Sequence, residues 1–144
     1  MTTLTVTSEA HENWILLRVV GEIDLLSGAI IRERVHQVVA EGRRSLILDL
    51  SSVRFCDSSG AGVLIAARRL MRSCSGELRL VLPDVRDGGE CAEVHRVFTA
   101  LGIRRLFDIH PDLQSATAAP ATVAAAEAAA VLPAQSLRVQ AQPV

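Results

Sequence analysis

The sequence contains no lysine, because all fifteen of its basic residues are arginines. A nucleotide-binding P-loop ends in Gly-Lys followed by Ser or Thr, so this absence excludes that motif. The chain also lacks a basic excess, since its formal net charge is -1. Nucleic-acid binding depends on positive charge that neutralises phosphates, and we therefore expect no nucleic-acid partner.

Cysteines are few, and long apolar runs are missing. Cys56, Cys74 and Cys91 form an odd set without the spacing of a disulfide framework, which predicts a reducing, cytoplasmic location. The segment from Met1 to Thr7 is polar, so we expect no secretory signal peptide. No apolar run approaches the roughly 20 residues that a membrane helix requires, and we expect no membrane partner.

The stretch 46–70 is the most informative part of the chain. Residues 46–50 form a nearly continuous apolar run, which is typical of a strand buried on both faces. Residues 57–59, Asp-Ser-Ser, are types that cap helices. We expect Gly60 and Gly62 to let the backbone turn tightly before the helix begins. The next apolar residues have the spacing of one helix face: Val63, Ala67, Leu70 and Cys74. This pattern places two serines at a helix start, where free N–H groups and the helix dipole favour an anion.

Strands and helices alternate along the rest of the chain. The segments 4–7 and 14–20 predict an antiparallel hairpin, and Ser27 is expected to cap a helix that ends near Gly42. The further predicted elements are a strand over 77–82, a helix over 92–101, a short strand over 106–109 and a helix that starts at 111–113. This order predicts an α/β fold with a mostly parallel central sheet and packed helices. Partners of such sheets meet the carboxyl ends of the strands, where we expect Ser58.

Three segments resemble the STAS domain, the fold of bacterial anti-sigma factor antagonists. The family's phosphorylation segment has an Asp-Leu-Ser-type turn, an aromatic or apolar residue and then Asp-Ser-Ser-Gly, which here are residues 49–51, Phe55 and residues 57–60. The Gly-Glu-Ile-Asp of residues 21–24 is similar to the family's Gly-Glu-Leu-Asp. The ending 100–111 also looks like the family's C-terminal pattern. The resemblance implies a single STAS-like domain over residues 1–116. Residues 117–144 do not match the family and are rich in alanine, so we expect a low-complexity and partly disordered tail there.

The resemblance also implies a function. An antagonist of this family binds, while unphosphorylated, an anti-sigma factor that is also a serine kinase, and this frees a sigma factor. The kinase then phosphorylates and inactivates the antagonist, and a serine phosphatase restores it. By the family's motif Ser58 is the phosphoacceptor, with Ser59 as the second candidate. The implied partner-binding residues are Asp24, Asp57, Ser58, Ser59 and Gly60, and neither an enzymatic activity nor a cofactor or metal is expected.

Other readings of the same residues remain open. Without the resemblance, Ser58 is a plain helix cap, and Asp57 is a cap, an acid that faces a kinase, or both. Within the family, the chain is alternatively a STAS subunit of another signalling or lipid-transport assembly that works without phosphorylation. The loop over residues 84–90 is longer than the family's usual loop, and we expect it at the same edge of the sheet as Ser58.

Two chemical functions are alternatives to an interaction module. A serine at a strand-to-helix turn is also the geometry of a hydrolase nucleophile, with His95 or His110 and Asp108 as partners, but the Gly-x-Ser-x-Gly motif is missing. Cys91 and His95 are four residues apart and could both face a metal from one helix. No second pair has ligand spacing, so Cys91 near a helix start beside a solvated His95 is the simpler expectation.

Overall fold

The structure is a computed structural model that describes residues 3–85 and 89–118. Residues 86–88 of the predicted loop, and the predicted tail from residue 119 onwards, lie outside the described residues. The strands are β1 (Leu4–His11), β2 (Trp14–Ile23), β3 (Ser45–Cys56), β4 (Glu77–Val81) and β5 (Asp108–His110). The helices are α1 (Gly28–Ala40), α2 (Ser58–Ser73), α3 (Ala92–Leu101) and α4 (Leu113–Ala118), with a 3₁₀ turn over Arg104–Leu106. In the described part of the chain, no helix is long and apolar enough to cross a membrane.

The five strands form one sheet in the order of the sequence, β1-β2-β3-β4-β5. β1 pairs with β2 in the antiparallel sense, and every other neighbouring pair is parallel. The predicted hairpin and mostly parallel sheet are therefore confirmed. Because right-handed crossovers between strands in sequential order all pass over the same face, α1, α2 and α3 cover one face of the sheet.

The main core lies between that face and the three helices. Alternate residues of β2, such as Leu17 and Val19, point into this core, while Trp14 and Leu16 point to the opposite face. This period of two is the expected behaviour of a strand whose two faces are both covered. α4 covers the opposite face in part, and its Ala116 is fully buried there.

Arg79 on β4 is among the largest fully buried side chains, and it is 1% exposed. Its guanidinium stacks over the Trp14 ring at 4.5 Å, and its Nε lies 2.7 Å from Glu77 and 3.2 Å from Asp108. Its Nη1 donates to the carbonyl oxygen of Ala116 at 2.6 Å, which ties α4 to the sheet. A buried charge is tolerated when its hydrogen bonds and ion pairs are satisfied in this way.

β3 is longer than the predicted strand over residues 46–50, because the expected turn at 49–51 lies inside it. The Asp49 carboxylate accepts from the backbone N–H and the hydroxyl of Ser51, at 3.0 and 2.6 Å. The pairing with β2 slips by one residue between Arg18 and Val20, beside this local bond. The turn-forming residues therefore make a bulge, and the strand continues to Cys56.

Candidate functional site

The carboxyl ends of the parallel strands bring the predicted site residues to one edge of the sheet. Asp24 follows β2, and Asp57 follows β3 directly. Ser58, Ser59 and Gly60 form the first turn of α2. The sequence motifs at 21–24 and 57–60 are therefore neighbours in the fold, since Ile23 and Cys56 pair across the ends of β2 and β3.

Asp57 caps α2. Its backbone is extended, and its Oδ1 accepts from the backbone N–H of Gly60 at 2.9 Å. Its carbonyl oxygen accepts the first helical bond, from Ala61 N–H at 2.9 Å. Because the capping bond comes from Asp57, the interpretation of Ser58 as a plain helix cap is wrong.

The Ser58 and Ser59 side chains are exposed at the beginning of the helix. Among the described residues, neither hydroxyl has a hydrogen-bond partner. An exposed hydroxyl at a helix N-terminus can accept a phosphate without losing an existing bond. The site thus combines an accessible nucleophilic oxygen with a local field that favours negative charge.

Gly60 has a different role from the predicted one. We expected Gly60 and Gly62 to form a turn before the helix, but the helix begins at Ser58 and contains both glycines. A Cβ on Gly60 would lie 2.5 Å from the carbonyl oxygen of Ile23 and 3.0 Å from the Cys56 sulfur. The first turn of α2 therefore sits directly on the end of β2, which fixes the distance between the serines and the turn after β2.

Asp24 and Ser27 hold the turn that follows β2. The Asp24 Oδ1 accepts from Ser27 N–H at 2.8 Å, and the Ser27 Oγ accepts from Asp24 N–H at 2.9 Å. The Ser27 hydroxyl also donates to the Glu22 carbonyl oxygen at 2.7 Å. The expectation that Ser27 caps α1 is therefore wrong, because its side chain binds backward to the turn and makes no cap bond.

Three exposed apolar side chains surround this edge, and we call them the apolar rim: Leu25, Leu26 and Phe55. Leu25 is 69% exposed and Leu26 is 80% exposed. The reciprocal hydrogen bonds between Asp24 and Ser27 point the side chains of Leu25 and Leu26 outward. Sequence reasoning missed the rim, since an apolar pair after a strand is indistinguishable from core residues by pattern alone.

Cys56 lies beneath the capped turn and is 1% exposed. Burial, with a smaller contribution from the charge of Asp57, raises the pKa of its thiol to about 12. The residue is therefore a neutral thiol in the core, which confirms the expectation of a small buried side chain.

The loop after β4 begins at the same edge, as predicted from the parallel pairing of β4 with β3. Its first residues are anchored through Pro83, whose carbonyl oxygen lies 2.7 Å from His95 Nε2. Arg104 lies 2.8 Å from His95 Nδ1; because arginine can only donate, Nδ1 accepts and Nε2 donates to Pro83. Cys91 is buried, with its sulfur 3.6 Å from the same carbonyl. His95 is partly exposed, and both of its ring nitrogens nevertheless have partners in the chain.

Comparison with known proteins identifies the architecture. The STAS domain model matches residues 5–116. The chain is 40% identical over 63 residues to the anti-sigma-F factor antagonist RsfB of Mycobacterium tuberculosis, a match that covers 44% of this chain and about half, 52%, of that protein. It is 27% identical over 106 residues to the anti-sigma-B factor antagonist of Bacillus subtilis, which covers 74% of this chain and 90% of that protein.

A solved structure agrees with the sequence matches. The crystal structure of an anti-sigma factor antagonist from Mycobacterium paratuberculosis superposes with a TM-score of 0.68 at 25% identity. The superposition covers 80% of this chain and 92% of the other. With the five-stranded sheet, the capped serine turn and a family model that matches most of the chain, the protein belongs to the STAS domain family.

Proposed function

We propose that this protein is an anti-sigma factor antagonist that is switched off by phosphorylation of Ser58. The observation that carries the proposal is the geometry of the α2 start, where an exposed Ser58 hydroxyl lies beside an Asp57 cap. The family motif and the names of the relatives support it. In its unphosphorylated form the protein binds an anti-sigma factor that is also a serine kinase, and a sigma factor is released. A serine phosphatase restores this form, and the cycle takes place in the cytoplasm.

The binding surface in this proposal is the edge around Ser58. Its polar part consists of Asp24, Asp57, Ser58 and Ser59, and Gly60 sets its shape. The apolar rim supplies the exposed apolar area that these residues lack, and grouped exposed apolar side chains mark protein interaction sites. A kinase that binds here places its active site over the hydroxyl and buries Leu25 and Leu26 at the same time.

Phosphorylation acts on the complex and leaves the fold intact. A phosphate adds roughly -1.5 to -2 charges at the positive end of α2, where the helix tolerates them. The same charge lies beside Asp57 in a surface that fits a neutral hydroxyl. Burying an unpaired anion against a partner costs several kcal/mol, which is sufficient to abolish binding of ordinary strength.

The test uses each anti-sigma factor kinase encoded by the same genome. The full chain is incubated with the kinase and ATP, and phosphopeptide mass spectrometry locates the phosphate. We expect phosphate on Ser58, unchanged binding but no phosphate in Ser58→Ala, and folded protein with weak binding in Ser58→Asp. Ser59→Ala is the matched control and keeps its phosphate. Phosphate on Ser59 alone would move the site by one residue, and phosphate on neither serine would contradict the switch.

Two alternatives make different predictions in the same assay. A STAS subunit of another signalling or lipid-transport assembly takes no phosphate, and its partner binds Ser58→Asp as well as the wild type. A serine hydrolase is labelled at Ser58 or Ser59 by a serine-reactive phosphonate. Against it stands the engagement of His95, whose two ring nitrogens contact Pro83 and Arg104 and leave no acceptor for a serine proton.

A further inference from the structure

A second site lies at the opposite edge of the sheet, where the parallel strands begin. A cavity of about 340 Å³ opens there between the last turns of α2 and the segment that leads into β5. Leu78 and Leu106 supply its apolar wall, and Arg68 and Arg72 line it from α2. Fourteen residues of helix separate Ser58 from Arg72, or about 20 Å at the usual rise per residue, so the cavity is separate from the serine site.

The two arginines of the cavity have no partner within the described chain. They are four residues apart and therefore on the same face of α2, where like charges destabilise a helix. Among residues 3–85 and 89–118, neither guanidinium has a hydrogen bond or an ion pair, although Arg18, Arg54, Arg79 and Arg96 each have an acidic partner. Two adjacent cations at a cavity wall are the arrangement that binds the oxygens of a carboxylate or phosphate.

The acidic residues of the cavity do not neutralise Arg68 and Arg72. Glu77 and Asp108 both line the cavity, but both carboxylates bind the buried guanidinium of Arg79, at 2.7 and 3.2 Å. Arg68, Arg72 and Arg79 carry three positive charges in and behind the cavity wall, and Glu77 and Asp108 carry two negative charges. The cavity therefore has a local excess of one positive charge, which one negative charge would balance, in a protein whose net charge is -1.

We propose that this cavity binds a small organic anion, with its oxyanion on Arg68 and Arg72 and a compact apolar body on Leu78 and Leu106. A small-molecule site usually combines an apolar wall with a few polar groups that converge on the ligand. The volume admits a ligand of about the size of a substituted aromatic ring. Ser58 lies at the other end of α2, so a ligand in the cavity contacts the same helix that carries the proposed phosphoacceptor.

The test uses phenyl phosphate as the probe, with phenol as the neutral probe and inorganic phosphate as the anion without an apolar body. The full chain is titrated and followed by backbone amide NMR, which gives both an affinity and the residues that respond. We expect phenyl phosphate to shift the amides of Leu78, Leu106 and the last turns of α2, and to bind at least tenfold more tightly than either control probe.

Substitutions then assign the shifts to the two guanidiniums. Arg68→Gln and Arg72→Gln should each weaken phenyl phosphate at least fivefold. Arg69→Gln is the matched control, since Arg69 is exposed on the same helix, carries the same charge and does not line the cavity; its affinity should stay within twofold. Equal weakening by all three variants, phenol binding as tight as that of phenyl phosphate, or the absence of localised shifts would each overturn the proposal. Circular dichroism confirms that each glutamine variant is folded before it is compared.

Discussion

The carboxylate of Asp57 accepts the backbone N–H of Gly60 at 2.9 Å, and this bond, rather than either serine, begins α2. An acid used as a cap leaves both neighbouring hydroxyls exposed. In the proposed switch it also separates two roles, since Asp57 maintains the helix start and Ser58 accepts the phosphate. The stability of variants at Asp57 and Ser58 measures this separation.

Asp57→Ala should lower the free energy of unfolding by about 0.5–2 kcal/mol, because it removes a side-chain cap. Ser58→Ala should lower it by less than about 0.5 kcal/mol, because an exposed hydroxyl without a partner is lost. Urea denaturation followed by circular dichroism measures both values. Asp57→Ser, which can still cap, is the control and should recover most of the loss. A Ser58→Ala variant as destabilised as Asp57→Ala would show that the serine shares the capping role.

The two glycines of α2 should respond oppositely to alanine. Gly60→Ala places a methyl group 2.5 Å from the Ile23 carbonyl oxygen, a backbone atom that cannot move easily, so we expect a loss of at least about 1–3 kcal/mol. A Cβ on Gly62 meets nothing within 4 Å, and Gly62→Ala should stabilise the protein by up to about 1 kcal/mol through helix propensity. Thermal melts of the two variants test this pair. Similar melting temperatures of the two variants would mean that the first turn of α2 does not pack against the end of β2.

Removal of the tail should reveal where the domain ends. A chain that ends at Thr117 keeps the Ala116 carbonyl on Arg79 and should melt within a few degrees of the full chain. A chain that ends at Asp112 loses that acceptor and the contacts of Leu113. A buried guanidinium N–H without its acceptor costs about 1–3 kcal/mol, so this chain should melt more than about 5 °C lower. Equal melting of the two shortened chains would assign α4 no part in stability.

Alkaline pH should destabilise the protein through its thiols. The chain has no lysine and no tyrosine, and arginine does not titrate below pH 12, so cysteine is the side chain that titrates between pH 9 and 12. Burial raises the pKa of Cys56 to about 12 and also raises that of Cys91, while the unfolded thiols ionise near pH 9. The unfolded state therefore gains stability from ionisation in this window, and the free energy of unfolding falls as the pH rises through it.

The measurement is a series of urea denaturations from pH 8 to 12. Cys56→Ala should reduce the slope of the fall, because it removes the buried thiol whose pKa is raised to about 12. An unchanged slope in Cys56→Ala would show that the buried thiol ionises in the folded protein as easily as in the unfolded one.

The fold and the position of the serine turn were predictable because their signals are local. An apolar run followed by capping residues and helical spacing predicts a strand and a helix at residues 46–70, and the structure has both, although the helix begins earlier, at Ser58, and contains the glycines expected in a turn. The role of Gly60 was not predictable in this way, since it depends on Ile23, which is 37 residues earlier in the chain. Arg79 was missed for the same reason, because its contacts come from both ends of the domain. Exposure of Leu25 and Leu26 depends on the bonds between Asp24 and Ser27, which no periodicity reveals.

The contact between α2 and β2 has a consequence for how the proposed switch can diversify. The Ile23 carbonyl oxygen lies close to Gly60, and this contact helps to set where the first turn of α2, and with it Ser58, stands. Leu25 and Leu26 are exposed and take no part in this contact, so they can be exchanged while the first turn stays in place. Duplicated copies of such a gene could acquire separate partners by mutation of these outer positions, and each copy would inherit the same chemistry.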